Sequence, residues 1–197
     1  AKLLMNLSTS LDTTMDNILK AIVGKTLGQV DKNHIFDRTI TKPKITGIAG
    51  DVIEQSVFDY PADTKSEPDL LIDGRPVELK TTGLKRVSSR DKSGHKLEAK
   101  EPMSITAVSL NQIANQNDFY NSQLWHKLEE LLLVYYLYDS SSTVPAKEYA
   151  NFPIQGYHFY KFSKDEQKII ENDWKIVRDF VANVWENNLD TEGKMLK

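Results

Sequence analysis

The stretch DLLIDGRPVELKTT at positions 69–82 constrains this chain more than any other. Two short strand-like runs flank Asp73-Gly74, a dipeptide suited to the two-residue turn of a β-hairpin. Pro76 opens the second run, where a missing N–H does least harm to a strand. Residues i and i+2 of a strand share a face, so Glu78 and Lys80 project together while Leu79 points into the core. The hairpin brings Asp69 towards Glu78, and two carboxylates and an ammonium then meet at one spot. Carboxylates and water suit a hard divalent cation such as Mg²⁺, and the Leu79 carbonyl can add an oxygen. Lys80 is placed to orient a water for in-line attack on phosphorus.

An acidic residue two before a lysine is by itself uninformative. Six such pairs occur, at Asp63/Lys65, Glu78/Lys80, Glu98/Lys100, Glu166/Lys168, Asp173/Lys175 and Glu192/Lys194. Only Glu78/Lys80 lies in an apolar strand after a hairpin whose other strand starts with an aspartate. Without that context, the pair reads as an exposed surface contact. Glu54 adds weight: it lies in GIAGDVIEQSVF, read as a helix that carries it inward, behind Gly47 and Gly50. Glycines there let backbone approach a phosphate or a neighbouring element closely. Glu54, Asp69 and Glu78 are expected to crowd one cavity, with Lys80 offsetting only part of their charge.

Composition narrows the classes. The chain has 197 residues and no cysteine, which excludes disulfides, thiolate metal sites and a cysteine nucleophile, and fits a cytoplasmic location. The longest apolar run, Leu131–Leu137, is far short of a membrane span, and no signal peptide is visible at the start, so no membrane role is expected. The net charge is −3, which argues mildly against a wholly basic nucleic-acid-binding surface. The segment 83–100 departs from that average. Its cations Lys85, Arg86, Arg90, Lys92, Lys96 and Lys100 outnumber Asp91 and Glu98, and it reads as a basic loop facing DNA or as a solvated loop.

The remaining pattern is that of one α/β (α+β) domain with a mixed sheet. A first helix is expected over Leu11–Val23, capped by Ser10 or Thr13 and stopped at Gly24. MSITAVSL at 103–110 reads as a strand, 111–121 as an amide-rich loop, 122–131 as a helix, and 131–139 and 156–162 as strands. A last helix opens on a Ser163/Glu166 capping box. It carries the apolar stripe Ile169, Ile170, Trp174, Val177, Phe180, Val181, Val184 and Trp185. The strand tyrosines and Trp174 read as packing. The four histidines have no metal-ligand spacing, and Lys25-Thr26 lacks the glycine spacing of a phosphate loop. Asn and Gln pair well with adenine, so the amide-rich loop reads as a base contact or as plain surface.

The order of motifs resembles one family. Gly47-x-x-Gly50-x-x-x-Glu54, then Glu67-Pro68-Asp69, then Val77-Glu78-Leu79-Lys80-Thr81 is similar to the MutH family. That family comprises the mismatch-repair nicking endonuclease and related type II restriction endonucleases acting at GATC. Trp125-His126-Lys127-Leu128 and Glu171-Asn172-Asp173-Trp174 resemble further family segments in order. Gly24-Lys25-Thr26-Leu27-Gly28-Gln29-Val30-Asp31 resembles the restriction branch. The resemblance covers about residues 20–188. It implies a restriction-endonuclease-like PD-(D/E)xK core, a mixed sheet flanked by helices. It also implies Asp69 and Glu78 as metal ligands with Leu79 and Glu54, Lys80 as the catalytic lysine, Glu54 as an added active-site acid and Lys127 as a second lysine near the scissile phosphate. Mg²⁺ is the expected cofactor and double-stranded DNA the expected partner.

Residues 1–197 are therefore expected to form a single catalytic nuclease domain, with a core over about 11–188 and a polar tail over 189–197. The spacing from Asp69 to Glu78 is two residues longer than in the mismatch-repair enzyme, which the Asp73-Gly74 turn can absorb. A cation-bearing C-terminal segment of the DNA cleft is not found, so the chain reads as an N-terminal catalytic fragment of a longer restriction enzyme with a missing C-terminal domain. The alternatives are a mismatch-repair nicking enzyme and a DNA-binding module without catalysis.

Overall fold

The computed structural model describes residues 15–61, 69–72, 74–87 and 96–187, except the side chains of Lys96, Trp185 and Glu186. The parts of the expected first helix before position 15, and Glu67, Pro68, Asp73, Arg90, Lys92, His95 and the tail 189–197, lie outside the described residues.

The hairpin forms as its sequence dictates. β1 (Leu70–Ile72) pairs antiparallel with β2 (Arg75–Val87), with Ile72 opposite Arg75 and Leu70 opposite Val77. Gly74 has φ +74°, a conformation a side chain would resist, so glycine suits this turn. β2 runs on far past the expected strand end. Leu84–Val87 pairs antiparallel with β3 (Lys96–Ala99). The described ends of the segment 83–100 are therefore strand rather than loop, the two arms of a second hairpin.

β4 (Leu131–Leu137) lies parallel to β2 along Glu78–Leu84, and β5 (Ile154–Tyr160) lies antiparallel to β4. The sheet order β1-β2-β4-β5, with β3 on the far end of β2, is the mixed sheet expected. On the side of β2 away from β4, β1 covers Arg75–Val77 and β3 covers Leu84–Val87. Glu78–Gly83 lies between them, and the candidate site opens at this gap.

Two apolar clusters flank the sheet. The larger joins Val77, Leu79, Leu132 and Val134 to α1 (15–22), α2 (Leu27–Val30) and α4 (Ile48–Val52). Between the latter two, α3 spans Arg38–Thr41. The smaller cluster joins Ile113 of α5 (Leu110–Ile113), Phe119, and Trp125 and Leu128 of α6 (Gln123–Leu128) to Trp174 and Val181 of α7 (Lys164–Asn187). Ser122 caps α6 by accepting from the Trp125 N–H at 3.1 Å. Tyr136 and Tyr138 are buried in the larger cluster, as packing residues.

Two expectations fail. Residues 102–109 form no strand, and a short helix follows at Leu110. β-branched content does not make a strand without an edge to pair with, and most of this segment is exposed. The α7 stripe is also only half used. Trp174 and Val181 are buried, whereas Ile169, Val177 and Phe180 are 61%, 44% and 68% exposed. The smaller cluster is too narrow to cover the whole stripe.

The GKTLGQVD segment is structural. Thr26 and Gln29 exchange the two hydrogen bonds of a capping box on α2. A Cβ at Gly28 would stand 2.9 Å from the Ala150 carbonyl oxygen, so only glycine lets α2 approach there. Asp31 accepts from the Ile35 and Phe36 N–H groups, each at 2.9 Å, and from the Ser56 hydroxyl at 2.8 Å. Asp31→Ala should therefore cost about 2–4 kcal/mol, since bonds to a charged acceptor are worth roughly 1.5–3 kcal/mol each and are not additive. A thermal melt checks this, and the rate of DNA cleavage by the folded protein should not change.

The α7 capping box is present: Glu166 accepts from the Ser163 N–H at 2.7 Å, and the Ser163 hydroxyl accepts from the Glu166 N–H at 3.3 Å. Bonding to Ser163, and then to Tyr160, holds the Glu166 carboxyl below its usual range. The native state then binds fewer protons than the unfolded chain. The contribution is present above the unfolded value and is lost as pH falls through the lowered native one. Glu166→Gln should flatten stability against pH in that acidic window.

Candidate active site

Glu78 is the least expected residue to be buried, at 1% exposure in the middle of the sheet. A bare carboxylate there would be costly, so it must be paired. Two ammoniums supply the pairing. Lys80 Nζ, two residues along the same face of β2, donates to Glu78 Oε1 at 2.7 Å. Lys127 Nζ, from α6, lies 3.3 Å from both Glu78 oxygens. α6 packs against β2, and its Ser122 cap fixes the turn that presents Lys127. The Glu78 N–H donates to the Glu130 carbonyl at 3.0 Å, which ties β2 to the start of β4.

Asp69 stands opposite Glu78 when the β1–β2 register is extended by one residue. Its Oδ2 accepts from the Leu79 N–H at 3.0 Å, in the gap where β2 has no neighbouring strand. Asp69, Glu78, Lys80 and Lys127 are thus brought to one place. A hollow of about 320 Å³ opens on Lys80, lined also by Gly47, Gly50, Thr81, Glu101 and Ser104.

Glu54 lies beyond Gly47 and Gly50, in a π turn (Ile53–Val57) that continues α4. It is half-buried and engaged in an interaction of its own. In α4 itself, burial pushes the Asp51 carboxyl up, against the opposing pull of Arg38 at 3.1 Å.

The expected crowd of three carboxylates is not what the chain builds. Among the described residues, no group of three or more His, Asp or Glu is arranged to hold a metal ion. Glu78 instead faces two cations, and Asp69 is held by a backbone N–H. The donor set nevertheless fits Mg²⁺, which binds through one or two carboxylates plus substrate oxygens rather than a full protein cage. Asp69 and Glu78, across one strand pair, and the Leu79 carbonyl are hard oxygen donors of that kind.

The cations expected to face DNA are only partly described. Lys85 and Arg86 are exposed on β2, but Lys85 pairs with Glu98 at 3.1 Å and Arg86 approaches Asp139 at 4.0 Å. Arg90 and Lys92 lie outside the described residues, as does the Lys96 side chain. Sequence reasoning missed Glu130, which is 8% exposed and paired with Lys161 at 3.1 Å and Arg75 at 3.6 Å. Its one signal was an acid placed directly before an apolar strand.

Among the described residues no helix is long and apolar enough to cross a membrane. No curated protein matches the chain in a direct sequence comparison. A family profile described as DNA mismatch repair enzyme MutH does match, over residues 58–173. That range holds Asp69, Glu78, Lys80, Lys127 and the Glu171–Asp173 segment, and it begins after Glu54. With well over half its length matched, and the matched acids and lysines converging on one buried carboxylate, the chain belongs to the MutH family of DNA endonucleases.

Proposed function

We propose that this chain is the catalytic domain of a type II restriction endonuclease that hydrolyses double-stranded DNA at a GATC-type site with Mg²⁺. The observation that carries the reading is a buried Glu78 held by Lys80 and Lys127 with Asp69 opposite. Asp69, Glu78 and the Leu79 carbonyl would hold Mg²⁺. Mg²⁺ bound there supplies positive charge where negative charge develops on the phosphate oxygens.

The chain's own residues do the rest. Lys80 Nζ, anchored on Glu78, orients the attacking water and holds its hydrogen bonds in line with the scissile bond. Lys127 Nζ, anchored on the same carboxylate, stabilises charge on the phosphate from the α6 side. The cations Lys85, Arg86, Arg90, Lys92 and Lys96 would track the DNA backbone, which makes binding fall steeply with salt. The exposed pairs of Lys85 and Arg86 with carboxylates would exchange for phosphate contacts.

The restriction reading draws on the GKTLGQVD resemblance. The second reading, a mismatch-repair strand-nicking enzyme, is favoured by the description of the matched family. Supercoiled plasmids with and without GATC sites separate them. Linear fragments, formed only with Mg²⁺ and only from the GATC plasmid, are expected. Accumulation of open circles alone would favour the nicking enzyme, and no cleavage with Mg²⁺ would overturn both. Lys80→Ala should slow cleavage at least about a hundredfold, the usual cost of removing one such donor.

A further inference from the structure

A second buried carboxylate stands where β2 and β4 begin to pair. Glu130 is 8% exposed, whereas its neighbour Glu129 is exposed. Leu131 of β4 is opposite Tyr160 of β5, so extending that register by one residue sets Glu130 against Lys161. Lys161 Nζ lies 3.1 Å from Glu130 Oε2, and Arg75 at the start of β2 reaches the same oxygen at 3.6 Å. One carboxylate therefore ties the start of β4 to the strands on both sides of it. Burying an ion pair is costly, and apolar residues of similar volume often serve stability as well or better. What Glu130 does for its surroundings is more specific. Its backbone carbonyl accepts the Glu78 N–H at 3.0 Å, where the β2–β4 pairing opens. Glu129 and Glu130 are also the whole connection between the end of α6 at Leu128 and the start of β4 at Leu131.

We propose that Glu130 is a positioning residue: held by Arg75 and Lys161, it fixes the α6–β4 turn and so seats Lys127 on Glu78. This role rests on the nuclease reading for its effect on rate, but not for its effect on geometry. Lys80 needs no such help. It lies two residues from Glu78 on the same strand, and strand geometry alone holds that pair, at 2.7 Å. Lys127 comes from a different element, and its Nζ is 3.3 Å from each Glu78 oxygen. That distance depends on how α6 lies against β2. With so short a connection, α6 cannot slide or tilt without moving Glu130. The carboxylate is held from β2 on one side and from the end of β5 on the other, while the Glu78 N–H holds the carbonyl. Arg75 and Lys161 are 46% and 58% exposed, so the clamp is modest in strength. Its kinetic effect is larger, because a misplacement of about 1 Å can cost on the order of a hundredfold in rate.

Glu130→Gln keeps the shape and removes the charge that both cations hold. With a short GATC duplex and Mg²⁺, it is expected to lower kcat at least about tenfold with KM unchanged. Glu129→Gln should leave both unchanged. Glu130→Gln combined with Lys127→Ala should cleave no more slowly than Lys127→Ala alone, because both remove the same contact. A merely structural defect would slow the double variant further. Lys161→Met, at a more exposed side chain, should give a smaller loss, about threefold, and Lys161→Arg should restore the rate. Thermal melts in chelator read the clamp without cleavage. Lys127→Ala should lower the melting temperature less in the Lys161→Met background than in the wild type. Direct repulsion between the two ammoniums acts in the opposite sense, making Lys127 worth more once Lys161 is gone, so the sign identifies positioning. With a wild type that cleaves, an unchanged kcat in Glu130→Gln or a double variant slower than Lys127→Ala overturns the clamp. Melts in which Lys127→Ala costs as much or more without Lys161 overturn it too. No cleavage by the wild type, with the expected melts, sinks the nuclease reading and keeps the clamp.

Discussion

Glu78→Gln is expected to lose cleavage by at least about a thousandfold and to lower the melting temperature by roughly 6–12 °C. Both effects come from one carboxylate. In the native chain, Lys80 lies 2.7 Å and Lys127 3.3 Å from its oxygens. Glutamine keeps the shape but leaves two ammoniums facing each other across a neutral amide. Removing one partner of a buried ion pair costs roughly 3–5 kcal/mol. The low end, about 3 kcal/mol, applies here, because the two lysine side chains are 23% and 16% exposed and can turn partly to water. For a chain of this length each kcal/mol moves the melting temperature by about 2–4 °C. The loss of activity exceeds that of Lys80→Ala because the neutral amide anchors neither lysine and offers a weaker oxygen to Mg²⁺. A calorimetric melt in chelator and a single-turnover cleavage rate read the two effects separately.

Divalent metal should stabilise the DNA-free chain strongly. Mg²⁺ or Ca²⁺ at a hundredfold excess over its dissociation constant adds about 2.7 kcal/mol by mass action, or roughly 5–10 °C. Glu78→Gln and Asp69→Asn should each abolish that shift. The direction of Asp69→Asn in chelator is a sharper check. If three carboxylates crowded one cavity, neutralising one would raise the melting temperature. Asp69 instead accepts a charge-assisted bond from the Leu79 N–H at 3.0 Å, so Asp69→Asn should melt slightly lower without metal. A higher melting temperature would show that repulsion dominates the site after all.

Local physics made the first hairpin legible. The Asp73-Gly74 turn, the alternation around Leu79 and the Pro76 start all act within a dozen residues, and the register follows from them. The Ser163/Glu166 cap was legible for the same reason. The second hairpin was hidden because Lys96–Ala99 carries one apolar residue, Leu97, amid charges and alanine, and its pairing partner Leu84–Val87 is itself half charged. Residues 103–110 misled in the opposite way, since β-branched side chains suit a strand only where an edge is free.

The site was legible in part. Glu78 and Lys80 share a face by strand geometry alone. Lys127 stands 49 positions from Glu78, and only the resemblance pointed to it. No spacing rule announces that α6 will lie across β2. Asp31 and Glu130 were missed because their roles depend on backbone groups and lysines brought in by the fold.

In the proposed reaction Asp69, Glu78, Lys80 and Lys127 act as one hydrolytic centre. The decisive measurement is single-turnover cleavage of a short GATC duplex with Mg²⁺ by the wild type and by Asp69→Asn, Glu78→Gln, Lys80→Ala and Lys127→Ala. The wild type should cleave, and the four folded variants should bind the duplex yet cleave it at least about a hundredfold more slowly. Any one of the four cleaving at the wild-type rate would remove that residue from the centre and break the shared-site assignment.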